Sequence, residues 1–475
     1  MPYPGEAAGK TGHAEILSNP EVQSFLKSCA KVPVPHAKDF SELSCGFKEY
    51  SVENSKGKLP ELILAIDGST YEASVDTKAP SRKIGYIKIS TVILDFEAFL
   101  KLKGPNSRFI DPFEVNRLKR DTSALSFALP GAYLAVQPGE EPRDSFRRRI
   151  FECYSGDQTK LSGGQSLTDT LYELCRLTGR VSVKGGEEHV RVLEKCPGSL
   201  KTGEQCHEKN VALPIKTGQT VCQKCCTTIY VTDCLRIHEA FVGHGQNIEA
   251  LNRLMSVTEH ILVAHYLINY SSIALDVLSK MCFIIDGPLA VFGPAAWIHR
   301  ALLILLLNVN KKLKACGMPS TLVLGFQKTG RLREHLDEIA QLIPKHPCFM
   351  PITDEYRYSF IDPGKKGTTK NFGDETYYGQ DFFVKTGTDK TFVLVMPYLF
   401  GDKGTPNFNK AKTELSNYPD LLLVLTMIEK LESVMYGGSI VPVMLAHGNA
   451  SISIVPGGRV LDIASRIAVK GKGNN

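Results

Sequence analysis

Two short runs constrain the fold of this chain more than anything else in it: Leu62-Ile63-Leu64-Ala65-Ile66-Asp67-Gly68-Ser69 and Phe283-Ile284-Ile285-Asp286-Gly287-Pro288-Leu289. Each is an apolar stretch that ends in Asp-Gly. A run of this length reads as a buried strand, and the glycine ends it by permitting a turn. Asp67 and Asp286 are therefore expected at the C-terminal tips of two core strands. Carboxylates on neighbouring strands make an acidic pocket that attracts a divalent cation, which suits metal-assisted phosphodiester hydrolysis. Asp-Gly alone is a common turn dipeptide. It is the pair, each after four or more apolar residues, that points to a shared site.

The remaining pattern alternates strands and helices. Residues 84–90 alternate apolar and polar, 91–94 extend that strand, and 76–83 supply the turn before it. Asn19-Pro20-Glu21 starts a helix, and residues 167–178 read as an amphipathic helix with Ser166 or Thr168 near its start. Residues 247–279 read as one long helix. Pro294 fits the first turn of the next, which ends at Cys316-Gly317. Strands are expected at 322–326 and 391–396, and helices at 329–342, 421–434 and after Pro442. The class is α/β, a mixed sheet flanked by helices. At 475 residues the chain is one large elaborated domain or two to three units. We expect a helical N-terminal segment (1–58), a first part of the core with a basic insertion (59–190), a small cysteine-rich insertion (191–238) and the remainder of the core with C-terminal helices (239–475).

Composition narrows the function classes. The N-terminus, Met1-Pro2-Tyr3-Pro4-Gly5-Glu6, lacks a basic region followed by an apolar one. The strongest apolar stretch, residues 301–307, is too short for a bilayer span. A cytoplasmic protein with no membrane association is the expectation. Thirteen cysteines in such a chain argue for a metal site or core packing rather than a disulfide framework. The net charge of +6 is only mildly basic. Three local clusters stand out: Arg117 with Lys119 and Arg120; Arg143 with Arg147, Arg148 and Arg149; Lys365 and Lys366 with Lys370. Such clusters are more often solvated surface than a phosphate track.

A third carboxylate for a metal pocket should come from a helix packed nearby. Glu259 lies amid Met255, Ile261, Leu262 and Ala264, and an acid on an apolar stripe wants a partner. Its alternative reading is an ordinary helix-surface glutamate. His447, in Pro442-Val443-Met444-Leu445-Ala446-His447-Gly448, is either a satisfied core histidine or a group that donates to a phosphate or moves a proton.

Taken in order, Ile66-Asp67-Gly68-Ser69, Glu259, Ile285-Asp286-Gly287-Pro288-Leu289, Gly325-Phe326-Gln327-Lys328-Thr329 and Leu445-Ala446-His447 resemble the NurA nuclease family. The resemblance covers residues 60–100 and 245–460. It implies an RNase H-like core, manganese or magnesium, and DNA degradation. It also implies a homodimer with a central DNA channel, docked on the hexameric DNA-pumping ATPase HerA, in end resection or phage defence. Residue by residue it implies that Asp67, Asp286 and Glu259 hold the catalytic metal, with Glu249 as the alternative helix acid, and that His447 is the late histidine. Lys328 then either faces phosphate or is a surface turn residue. The family's tyrosine before the histidine has Tyr436 as its nearest counterpart, at a different spacing. The second motif reads Asp-Gly-Pro where the family commonly has Asp-Gly-Ser.

Six of the thirteen cysteines fall within residues 194–235. Cys222 and Cys225 have the C-x-x-C spacing of a zinc knuckle, and Cys196 and Cys206 form a wider first pair. Two such pairs are what tetrahedral zinc needs. The expected ligands of a structural zinc are Cys196, Cys206, Cys222 and Cys225, with His207 or Cys226 able to replace one; the alternative is a set of idle buried thiols. The module's insertion between the acidic motifs leads us to expect an added arm for DNA or a partner. The leading reading is a divalent-metal-dependent deoxyribonuclease. The competing one is a non-catalytic nucleic-acid-binding or assembly subunit, in which the zinc arm and basic clusters act. A third is an RNase H-like nuclease that cuts RNA or hybrid duplexes.

Overall fold

The computed structural model describes residues 12–29, 46–55, 57–103, 112–193, 195–200, 202–362, 372–401, 403–433, 438–452 and 457–470. Lys365, Lys366, Lys370 and Tyr436 lie outside them. The chain divides into two units, residues 1–46 and 47–475. The first contains helices α1 (Gly12–Ser18) and α2 (Pro20–Ser28). The Asn19 side chain caps α2 by accepting from the Glu21 amide at 2.9 Å, so this helix starts where its sequence predicts.

In the second unit the elements follow as β1 (Lys48–Glu49), β2 (Leu62–Ser74), β3 (Lys83–Asp95), β4 (Lys119–Pro130), α3 (Pro142–Ser155) and α4 (Leu167–Leu177). Short strands β5 (Val181–Lys184), β6 (Glu187–Leu193), β7 (Val211–Pro214), β8 (Gln219–Val221) and β9 (Thr228–Tyr230) come next. Then come α5 (Ile248–Ile273), β10 (Met281–Asp286), α6 (Ile298–Ala315), β11 (Leu322–Phe326) and α7 (Arg331–Glu338). The order closes with β12 (Cys348–Pro351), β13 (Gly379–Lys385), β14 (Thr391–Pro397), α8 (Leu421–Leu431), α9 (Val441–Ala450) and α10 (Gly457–Lys470). Nine strands form one mixed sheet in the order β1-β12-β13-β14-β11-β10-β2-β3-β4. Strand β10 is parallel to both β2 and β11, and the other pairs are antiparallel. The strand read as the sheet's first edge, β1, falls in the stretch expected to be a helical preface.

Strand alternation sorts the core into two layers. Leu64, Ile66, Phe283 and Ile285 pack with Leu254, Val257 and Ile261 of α5 and with α6. Ile63, Ala65, Cys282 and Ile284 pack with Val424 and Ile428 of α8 and with Val443 and Ala446 of α9. Helix layers thus cover both faces, which is why the two central strands read as unbroken apolar runs.

Several elements differ from expectation. Strand β2 does not stop at Gly68: it continues to Ser74, paired with β3 residue by residue (Asp67 opposite Ser90, Gly68 opposite Ile89). Asp67 therefore sits within a strand, while Asp286 does end β10, with Gly287 turning at φ +137°. Gly68 serves close packing rather than a turn. A Cβ there would lie 2.6 Å from Met255 Cγ and 2.7 Å from Glu259 Oε1, so the missing side chain is what lets α5 approach the strand. Strand β4, strands β12 and β13, and helices α3 and α10 were not anticipated. The first opens with Lys119, Arg120 and Asp121, which mask its later alternation at Leu125, Phe127 and Leu129.

Candidate metal centre

Asp67 follows Ala65 and Asp286 follows Ile284 by two residues, so both acids fall on the sheet face that carries α8 and α9. Their strands are parallel neighbours, with Ile66 opposite Ile285. Helix α9 brings His447 over the same point: its Nδ1 is 2.8 Å from Asp67 Oδ2. Asp67 Oδ1 accepts from the Gly68 amide at 2.8 Å. Lys328, just beyond β11, reaches in from the third strand. Its Nζ is 2.5 Å from Asp286 Oδ2 and 4.0 Å from Asp67 Oδ2. One ligand atom each from Asp67, Asp286 and His447 lies within 4.8 Å of the other two.

Glu259 reaches the same region from behind. Helix α5 packs on the opposite face, and Glu259 is only 5% exposed. Burial, followed by the charges of Asp67 and Asp286, holds its carboxyl well above the usual range, and a hydrogen bond from the Gly68 backbone opposes this. Burial and the neighbouring Asp67 also push Asp286 up to about 6, against the pull of Lys328. The alternative acid, Glu249, is exposed and paired with Arg253 at 2.6 Å. Glu259 is thus the α5 carboxylate beside the aspartates, although it stands outside the group of three converging ligand atoms.

The donor chemistry fits a hard cation. Two carboxylates, with a third acid close by and an imidazole beside them, suit magnesium or manganese. The crowded acids meet the electrostatic condition too, since a divalent charge offsets the burial and the mutual repulsion that raise Asp286 and Glu259.

The cysteine module offers a different donor set. Cys196 Sγ lies 3.6 Å from Cys225 Sγ, and Cys206 Sγ lies 3.8 Å from Cys222 Sγ. All four sulfurs fall within 4.8 Å of one another. Four soft donors on two turns fit zinc. Burial opposes ionisation of Cys225, but hydrogen bonds from the Thr227 hydroxyl and amide outweigh it and bring the thiol down to about 7. Cys226 is exposed at φ +61°, and His207 is exposed, so neither joins the cluster. Cys234 pairs instead with Cys175 in the core.

The central basic cluster is structural. Arg147 is 1% exposed, and its Nε and Nη2 donate to Asp233 at 2.9 and 2.5 Å. Arg148 pairs with Glu140, and Arg149 with Glu152. Sequence reasoning missed a second buried network behind Lys328. Gln327 Nε2 donates to Asp381 Oδ1 at 2.7 Å, and Asp381 Oδ2 pairs with Arg357, which lies 3.7 Å above the Phe372 ring. The one hint was an aspartate directly before the apolar Phe382-Phe383-Val384 of β13.

No protein-family model and no curated protein matches the chain. Two solved structures align along nearly all of it. The crystal structure of the NurA nuclease from Sulfolobus solfataricus does so at 11% identity and a TM-score of 0.30, covering 97% of this chain and 95% of that one. A crystal structure of NurA does so at 11% identity and a TM-score of 0.23, covering 98% and 99%. Alignment at that level identifies neither fold nor chemistry, and both rest on this chain's own geometry. Among the described residues no helix is long and apolar enough to cross a membrane.

Proposed function

We propose that this chain is a divalent-metal-dependent deoxyribonuclease with an RNase H-like core. The observation that carries the reading is the convergence of Asp67, Asp286 and His447 within 4.8 Å, with Lys328 2.5 Å from Asp286. The sheet fits as well: β2, β3 and β4 form an antiparallel meander, and β10 and β11 add parallel to its first strand.

Asp67 and Asp286 hold the cation, and Glu259 adds negative charge from behind. When bound, magnesium or manganese activates a water and neutralises charge on the leaving oxygen. The protein's own groups do the rest. His447 fixes the Asp67 carboxylate through its Nδ1 contact and, half exposed, presents its other ring nitrogen for proton transfer. Lys328 binds a phosphate oxygen, with its loop tied down through Gln327, Asp381 and Arg357. The Cys196, Cys206, Cys222 and Cys225 cluster holds structural zinc, and its module is an arm for DNA or a partner. We further propose a cytoplasmic homodimer that works with a HerA-like hexameric ATPase in DNA end processing or phage defence.

The test is manganese-dependent degradation of linear DNA by the zinc-loaded full chain, alone and with the ATPase, beside Asp67→Ala. Loss of degradation in the variant supports the nuclease. A wild type as inert as the variant in both settings rules it out in favour of a nucleic-acid-binding or assembly subunit. RNA and hybrid competitors establish the substrate class.

A further inference from the structure

Strands β11 and β14 are neighbours in the sheet, yet they pair only at Gly325–Val395 and Phe326–Leu394. Toward Leu322 and Pro397 they part, and Pro397 has no N–H to offer a neighbour. A cavity of about 370 Å³ opens there, with Leu324 and Met396 among its apolar walls. That volume falls in the range of small-molecule sites, roughly 300–1,000 Å³. Helix α6 supplies one side and the segment leading into α8 another. Lys328 and Asp286 meet beyond the C-terminal end of β11, whereas this cavity lies along its N-terminal half, so the two sites are separate.

Two polar groups on the cavity wall are left unused. Asn310 accepts from the Thr321 amide through Oδ1 at 3.1 Å, but its Nδ2 is buried with no hydrogen-bond partner among the described residues. A buried donor in that state is costly unless something fills the place opposite it. Asp420 stands at the N-cap of α8, where an aspartate ordinarily accepts from first-turn amides, yet its side chain makes no cap hydrogen bond. Lys311 and Lys314, three residues apart on one face of α6, line the same cavity, are exposed and have no ion-pair partner among the described residues.

We propose that this cavity binds a guanine nucleotide. The inference goes beyond the nuclease reading and does not depend on it. A carboxylate with both oxygens uncommitted accepts two adjacent donors, which guanine presents at N1–H and N2–H, and the Asn310 amide donates to O6 beside them. Adenine and cytosine each set a ring acceptor next to a single amino group, which turns a lone pair toward the Asp420 carboxylate. The apolar walls cover the ring, and the two lysines meet the phosphate at the mouth.

The experiment measures binding of dGMP, dAMP and deoxyguanosine to the zinc-loaded full chain by calorimetry, without manganese. Wild type, Asn310→Asp, the double variant Lys311→Glu with Lys314→Glu, and Asp67→Ala are compared, each with its thermal midpoint as a folding control. Asn310→Asp keeps the acceptor for the Thr321 amide and removes only the donor. The expected result is dGMP binding at least about tenfold tighter than dAMP. Loss of the phosphate, or reversal of the two lysines, should weaken it by about tenfold or more. Asn310→Asp should bring dGMP down toward dAMP, and Asp67→Ala should leave it unchanged. No dGMP binding in wild type, equal affinity for dGMP and dAMP, or an affinity unmoved by both cavity variants overturns the inference. Binding lost in Asp67→Ala but kept in the cavity variants places the nucleotide at the metal centre, which overturns this inference and leaves the nuclease reading standing.

Discussion

Gly68 and Glu259 are in mutual contact through the absence of a side chain: a Cβ on Gly68 would stand 2.7 Å from Glu259 Oε1 and 2.6 Å from Met255 Cγ. The acid on α5 approaches the pocket only because the strand presents bare backbone there. Gly68→Ala is therefore expected to overpack the strand–helix interface, at a cost of about 1–3 kcal/mol, and to push Glu259 away from Asp67. Denaturant unfolding should show the loss. Restoring room with Met255→Ala in the same chain should recover part of the stability but not the metal affinity.

The crowded carboxylates make stability depend on pH. Asp286 is raised to about 6 by burial and Asp67, so the folded state binds its proton more tightly than the unfolded chain does. The linkage sign then follows: the contribution is fully present below pH 4 and is lost as pH rises through about 6. Glu259 is raised in the same direction, first by burial and then by Asp67 and Asp286, and extends the loss upward. Metal-free protein should thus become less stable between pH 4 and 6, with up to about 3 kcal/mol from Asp286. Lys328 and His447 face the same pocket, so they should be kept in every variant compared. Asp286→Asn should flatten this slope in thermal melts, and saturating manganese should reverse it; an unchanged slope in the variant would discount the crowding argument.

His447 separates function from stability. Its side chain is 47% exposed and its contact with Asp67 is the main polar one it makes. His447→Ala should change folding stability by no more than about 0.5 kcal/mol. Its effect on DNA degradation should be a drop of roughly 100-fold or more, with manganese affinity weakened by about tenfold. Asn at the same position, which can still donate to Asp67, should recover the affinity more than the rate.

Much of this centre was legible in the sequence because it lies where apolar runs end. Ile63 to Ile66 and Cys282 to Ile285 announce buried strands, and the acid that follows each must lie on the sheet. The two-residue period then puts Asp67 and Asp286 on one face. What was not legible was strand continuation. The residues after Asp67, Gly68-Ser69-Thr70-Tyr71, resemble a turn locally, and it is distant contacts that keep them extended: pairing with β3, packing under α5, and the Tyr71 hydroxyl on Asp462 of α10. The partners of Arg147 were hidden for a similar reason. Asp233 lies 86 residues away, and a run of arginines in sequence carries no sign that one of them points inward. The clustered cysteines could be narrowed by spacing, but excluding Cys226 took its exposed, left-handed backbone.

The sulfur cluster makes a sharp distinction between adjacent cysteines. Cys222→Ser should remove a zinc ligand from a module held by two small sheets, so the protein should lose its bound zinc and its melting temperature should fall. Cys226→Ser should keep both, since its thiol is exposed and outside the cluster. Metal content by mass spectrometry, read alongside thermal melts, checks both. Zinc loss from the second variant but not the first would reassign the site.

The last prediction concerns a residue that charge patterning alone would send to DNA. Arg147 is almost fully buried, with Asp233 paired on two of its nitrogens and the Thr228 carbonyl 2.8 Å from Nη2. Removing the guanidinium leaves Asp233 charged and uncompensated in the core, which typically costs about 3–5 kcal/mol. Arg147→Ala should therefore unfold at markedly lower denaturant, while Arg147→Met with Asp233→Leu should regain most of the difference by replacing the pair with apolar volume. A phosphate-contacting arginine would behave in the opposite way. It would leave stability nearly unchanged and reduce the salt dependence of DNA binding by roughly one phosphate contact. Measuring unfolding and the salt slope on the same variants decides between the two, and burial favours the first.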